Sequence, residues 1–157
     1  MTAKSLAVAK HMLERCRAIA DPAVTPMQLI KLVYIAHGYM LGRHGIPLLD
    51  EMVEAWRYGP VVPSVYHAVK HYQSRPIQEI DGACDNTTLS PEEKQVIENV
   101  ARIYGKHNGV VLSAATHKTD TPWQKTWRWA GQNAPISNDL IEAFYSEILK
   151  SSTHSSL

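Results

Sequence analysis

Cysteine is scarce in this 157-residue chain: the two residues, Cys16 and Cys84, lie far apart and outside any CxxC pattern. That argues against a disulfide framework and a cysteine-ligated zinc site, and it fits a reducing compartment. Neither sign of charge predominates. Sixteen Lys and Arg stand against fifteen Asp and Glu, and a net charge of +1 supplies no broad field for phosphate backbones or anionic membranes. Nucleic acid is therefore not an expected partner. Long hydrophobic runs are lacking as well: the most apolar stretch, Leu32 to Leu41, contains His37 and Gly38 and is about half of the ~20 residues a membrane span requires. The first ten residues break their apolar run at Lys10 and carry no cleavage pattern. A cytoplasmic protein with no membrane partner is expected. The length suits one domain with a real core, read here as residues 1–150 followed by a flexible tail, 151–157.

What the chain does have is helical periodicity. Leu6, Ala9, Leu13, Cys16 and Ala20 recur at spacings of three and four, so residues 5–20 carry one apolar face. Thr25-Pro26 opens a second helix with an N-cap threonine, proline at the first helical position, Gln28 three residues after the cap and a Val24/Leu29 staple. From Met27 to Leu41 the apolar residues run nearly all the way round, interrupted chiefly by Lys31, His37 and Gly38, which predicts a central, covered helix ended by Gly42 to Pro47. Pro47, Gly59, Pro60 and Pro63 forbid a long helix in the next segment, leaving a loop with a short strand near Met52–Trp56. Pro63 starts a helix with Val65, Val69 and Tyr72 on its stripe, and residues 76–89 read as irregular, with a short strand at Ile77–Ile80. Ser90-Pro91-Glu92-Glu93 is a capping box for a helix with Val96, Ile97, Val100, Ala101 and Tyr104 inward. Helices over Val110–His117, from Pro122 towards Ala130, and after Ser137 complete the set. The class is mainly α, a compact single-domain bundle of six to seven helices with at most a short two- or three-stranded β element.

Catalytic patterns are not found. His67-x-x-x-His71 sets two imidazoles one helical turn apart, but the inner Glu of HExxH is missing and neither Asp81 nor His117 is selected as a third ligand. Ser113 sits in Val-Leu-Ser-Ala-Ala and not in GxSxG, and Cys16 falls on an apolar helix face. Gly38, Gly42 and Gly45 follow a helix instead of a strand, so phosphate cradling is unsupported and helix termination is their expected role. No catalytic residue, cofactor or metal ligand is assigned, and no enzyme is expected.

Two clusters stand out. Ala55-Trp56-Arg57-Tyr58-Gly59-Pro60-Val61-Val62-Pro63 concentrates aromatics, an arginine and rigid turn residues. Leu112-Ser113 with Thr116-His117 is followed by Pro122-Trp123, Trp127 and Trp129, which puts three of the four tryptophans within seven positions. Trp, Tyr and Arg dominate binding hot spots because they bury much area at little entropic cost. Trp127 and Trp129 lie about 200° apart on a helix, so at least one should be partly exposed. Neither 55–78 nor 99–119 contains Asp or Glu, and their convergence would make a basic, aromatic face suited to an acidic protein or a nucleotide.

Leu29-Ile30-Lys31-Leu32-Val33-Tyr34-Ile35-Ala36, the string Glu54-Ala55-Trp56-Arg57-Tyr58-Gly59-Pro60-Val61-Val62-Pro63-Ser64-Val65-Tyr66, and Leu112-Ser113, Thr116-His117 and Pro122-Trp123 together resemble the Panacea domain family, also described as SocA-like or phage-associated GepA-like. The resemblance covers roughly residues 5–150. It implies a mostly helical domain of prophages and mobile elements, the antitoxin of a type II toxin–antitoxin pair. The implied partner is a protein toxin encoded by a neighbouring gene and neutralised by direct contact, with delivery of the toxin to an AAA+ protease as an added role known in the family. A second copy of the chain is also compatible as a partner. Trp56, Arg57, Tyr58, Gly59, Pro60, Val61, His117, Pro122 and Trp123 are the residues expected to contact the partner or to buttress those that do. The alternatives are an orphan prophage-encoded interaction module and a metal hydrolase using His67 and His71.

Overall fold

The helix whose apolar residues run all the way round sits at the centre. A computed structural model describes residues 3–19, 23–80, 82–83 and 88–151; Asp81, Cys84 and the tail after Ser151 lie outside them. In chain order the elements are α1 (Ala3–Ile19), α2 (Pro26–His44), β1 (Val53–Trp56), β2 (Gly59–Val61), α3 (Pro63–Val69) with a 3-10 turn at Lys70–Tyr72, α4 (Pro91–Tyr104), α5 (Gly109–Thr116), α6 (Pro122–Ala130), β3 (Ala134–Ile136) and α7 (Asn138–Ser151). Among the described residues, these seven α-helices and one three-stranded antiparallel sheet, ordered β2-β1-β3, make a mainly α protein. No helix among the described residues is long and apolar enough to cross a membrane.

Helix α2 packs against α1, α4, α5 and α7, and every residue from Gln28 to Leu41 is buried. Each fully covered Leu, Ile or Val side chain there stabilises the fold by about 1.5–3 kcal/mol relative to exposure. Thr25 caps the helix, accepting from the Gln28 amide at 3.4 Å. The Gln28 side chain does not complete a reciprocal box. Its amide nitrogen donates instead to the Gly105 and His107 carbonyls at 2.8 and 3.0 Å, tying α2 to the end of α4. At the other end, Gly38 and Gly42 do not terminate the helix, which runs to His44 and is capped by Gly45. They admit α7. A Cβ on Gly42 would stand 2.9 Å from the backbone at Tyr145 and Ser146, and one on Gly38 would clash with the Tyr145 ring.

Local signals set the other helix starts. Ser90 accepts from the Glu93 amide at 3.1 Å while the Glu93 carboxylate accepts from the Ser90 amide at 2.8 Å, the reciprocal pair read from the sequence. Thr121 caps α6, and Ser137 accepts from the Asp139 amide at 3.0 Å at the start of α7. Ile77–Ile80 forms no strand: the Ile77 amide bonds the Val24 carbonyl at 2.7 Å, and the segment is fixed by burial of its two isoleucines. The Cys16 thiol is buried in α1 and burial raises it to about 11, which leaves it a packing group.

Candidate functional site

The irregular segment after α2 becomes a hairpin because Pro60 and Pro63 rule out helix while Trp56 pairs with Gly59, leaving Arg57 and Tyr58 as a two-residue turn. Gly59 takes φ +118°, a conformation L side chains rarely adopt, and a Cβ there would come within 3.1 Å of Lys31 Nζ. Strand β3 pairs with the other edge of β1, Ala55 opposite Ala134.

The turn is clamped through its backbone. Ser113 Oγ of α5 donates to the Tyr58 carbonyl at 2.7 Å, and Trp123 Nε1 of α6 donates to the Trp56 carbonyl at 2.6 Å. The Arg57 amide donates to Gln132 Oε1 at 3.1 Å, and the Asn133 amide to the Ala55 carbonyl at 2.8 Å. Trp123 is buried, with His117 edge-on at 5.3 Å and Trp127 stacked at 5.2 Å. Pro122 is buried too. So His117, Pro122 and Trp123 stand behind the hairpin as its support. Gly59, Pro60 and Val61 are buried within it, while the Arg57 and Tyr58 side chains are presented outward, Tyr58 61% exposed with the guanidinium 5.5 Å from its ring. Trp56 is half-buried, its ring 4.8 Å from Tyr66 and its indole N–H on Glu54 at 2.9 Å. Trp129 is 87% exposed, in keeping with the angular argument about the Trp127/Trp129 pair.

Beside the hairpin lies an open groove of about 450 Å3, walled by α2, the turn and α3. Met27 and Ile30 of α2, Val61, Trp56 and Tyr66 give it apolar walls; Lys31, Arg57 and Lys70 give it charge. Lys31 is 3% exposed, with Nζ donating to the Pro60 carbonyl at 2.8 Å. Burial disfavours its ammonium and lowers it to about 7. Of the two acid-free windows, the first supplies Arg57 and Lys70 to this groove. The second supplies no groove cation: Arg102 bonds Asn99 along α4, and α5 contributes clamping groups. The third cation comes from the acid-free stretch of the central helix. Lys31, Ile30, Met27, Tyr66 and Lys70 were not among the expected site residues, although a lysine inside an otherwise apolar, all-round helix was a signal for the first of them.

Ser113 Oγ and His117 Nδ1 approach to 3.4 Å. The hydroxyl is committed to the Tyr58 carbonyl at a shorter distance, and among the described residues no carboxylate bonds the imidazole. The pair is arranged to hold the turn. His67 and His71 are both exposed, on either side of the break between α3 and its 3-10 turn, and among the described residues no three His, Cys, Asp or Glu side chains gather closely enough to hold an ion.

Fold and site together define a small, mainly α protein that carries a clamped aromatic hairpin beside a basic, apolar groove. The model for the family described as Antitoxin SocA-like, Panacea domain, matches residues 29–124, from α2 through the hairpin into α6. The chain is 30% identical over 136 residues to Antitoxin SocA of Caulobacter vibrioides (strain NA1000 / CB15N), an alignment covering 81% of this chain and 72% of that protein. The chain belongs to the SocA-like antitoxin family and carries its Panacea domain. No solved structure matches it at a significant level.

Proposed function

We propose that this protein is the antitoxin of a type II pair and neutralises a protein toxin, encoded next to it, by steric occlusion through the hairpin face. The observation that carries the reading is the division of labour at the turn. Ser113, Trp123 and Gln132 fix its backbone, while Arg57 and Tyr58 make no hydrogen bond through their side chains among the described residues. A turn whose backbone is already fixed has little further backbone ordering to undergo on binding, and the Tyr and Arg it presents are hot-spot residue types. Membership of an antitoxin family supports a toxin as the class of partner.

Co-expression with each flanking reading frame tests this. A toxic neighbour is expected to be silenced and to co-purify with the chain. Tyr58→Ala is expected to weaken that complex by about 2 kcal/mol, roughly thirtyfold in Kd, while shifting stability by no more than about 0.5 kcal/mol. Toxicity unrelieved in every neighbour would overturn the proposal.

A further inference from the structure

The groove beside the hairpin has a chemical character that occlusion alone does not require. Its walls are apolar, and each charged side chain lining it among the described residues is a cation: Lys31 from α2, Arg57 from the turn and Lys70 after α3. Pro26 and Met27 at its rim form the first turn of α2, so the positive end of a nineteen-residue helix lies alongside. Lys31 is buried with a single hydrogen bond among the described residues, to the Pro60 carbonyl, although an ammonium has three protons to donate. Holding a cation out of water with no carboxylate beside it opposes folding. Lys31 also lines a cavity open to solvent, where a ligand can bring the missing charge.

We infer that this groove receives an extended segment of the protein partner in which apolar side chains flank an Asp or Glu. The apolar groups lie against Ile30, Val61 and the Trp56 and Tyr66 rings, and the carboxylate reaches Lys31 and Arg57, with Lys70, 5.9 Å from the Tyr66 ring, at the outer wall. A cavity of about 450 Å3 takes the side chains of a short peptide. Its apolar walls favour such a segment over a nucleic acid, whose backbone would need a broader cationic track than these three side chains provide. The inference rests on the antitoxin reading and specifies what the toxin must carry.

The full chain, labelled with 15N, can be titrated with acetyl-Leu-Leu-Asp-Leu-amide, with its Asn and Lys counterparts, and with adenosine monophosphate. The Asp peptide is expected to give saturable shifts of the Trp56 indole N–H and the Arg57 and Tyr58 amides, with an affinity at least tenfold above both counterparts. Lys31→Met should remove that selectivity; should this variant fail to fold, the exposed pair Arg57→Gln/Lys70→Gln serves instead, with the same loss expected. Equal binding of the three peptides, absence of saturable shifts, or tighter binding of the nucleotide in the groove overturns the inference. Asp-selective binding without rescue from any toxic neighbour leaves the groove assigned and unseats the antitoxin reading. Rescue without Asp selectivity does the reverse.

Discussion

Lys31 and His37 both interrupt the apolar run of α2, and they accommodate burial in different ways. His37 is satisfied as the neutral ring: Nδ1 accepts the Leu48 and Leu49 amides at 3.3 Å each and Nε2 donates to Asn138 Oδ1 at 3.0 Å, joining α2, the following loop and the start of α7. His37→Leu leaves those amides unpaired and should cost about 2–4 kcal/mol, read as a lower urea midpoint. Burial also lowers the His37 pKa below 6.5, with no charged side chain contributing. The folded chain therefore resists a proton that the unfolded chain accepts, so stability should fall as pH drops below about 6.5, and His37→Leu should flatten part of that slope. Lys31 runs the other way along the pH axis. Its folded pKa of about 7 lies under an ordinary value of 10.5, so between those values the unfolded chain holds the extra proton and stability should climb with pH. Lys31→Met should raise stability at pH 7 by about 1–3 kcal/mol, the lost bond to Pro60 offsetting part of the gain, and should abolish the climb in a thermal-melt series from pH 7 to about 8.5, below the range in which the raised Cys16 thiol and buried tyrosines pull the other way. Sequence marked both residues as interruptions. It could not tell a histidine saturated by backbone amides from a lysine left with unused donors, because the amides come from residues 48 and 49 and the Pro60 acceptor from a hairpin that only tertiary structure folds back.

At the level of elements, what was legible is what is local. Thr25, Ser90 and Ser137 cap helices because the cap oxygen and the amide that donates to it lie within three residues of each other. Strand β3 was not foreseen: three residues with Pro135 at the centre have no strand signal of their own, and they become extended by pairing Ala134 and Ile136 with β1. Gly38 and Gly42, at the crossing of α2 and α7, were misread for the same reason. Gly42 looks like a helix stop until the backbone of Tyr145 and Ser146 is placed 2.9 Å from where its Cβ would be. Gly42→Val should push the two helices apart and cost about 1–3 kcal/mol, seen in chemical denaturation, even though valine is the better helix former. A variant as stable as the parent would mean that α7 can slide without penalty.

For the whole molecule, one hydrophobic core reaches from α1 to α7, while the hairpin turn and the groove stand at its margin. Stability and the proposed partner contact thus fall largely on different residues. Of the nine predicted site residues, Arg57 and Tyr58 point outward and Trp56 and Val61 border the groove; the others support the turn or are buried in it. That sorting needed the fold, since hot-spot composition is the same for a contact and for its buttress. If the chain also hands its toxin to an AAA+ protease, deleting residues 151–157 should slow toxin turnover in cells without changing the Kd of the purified complex. A matched loss of both would assign the tail to toxin binding itself.

The way the hairpin is gripped has an evolutionary corollary. Its fasteners hold peptide carbonyls and amides at positions 55–58, and these are present whatever side chain follows. Positions 57 and 58 are consequently interchangeable letters on a fixed frame: under the proposed occlusion, a lineage could rewrite both, and so change its quarry, without renegotiating the scaffold.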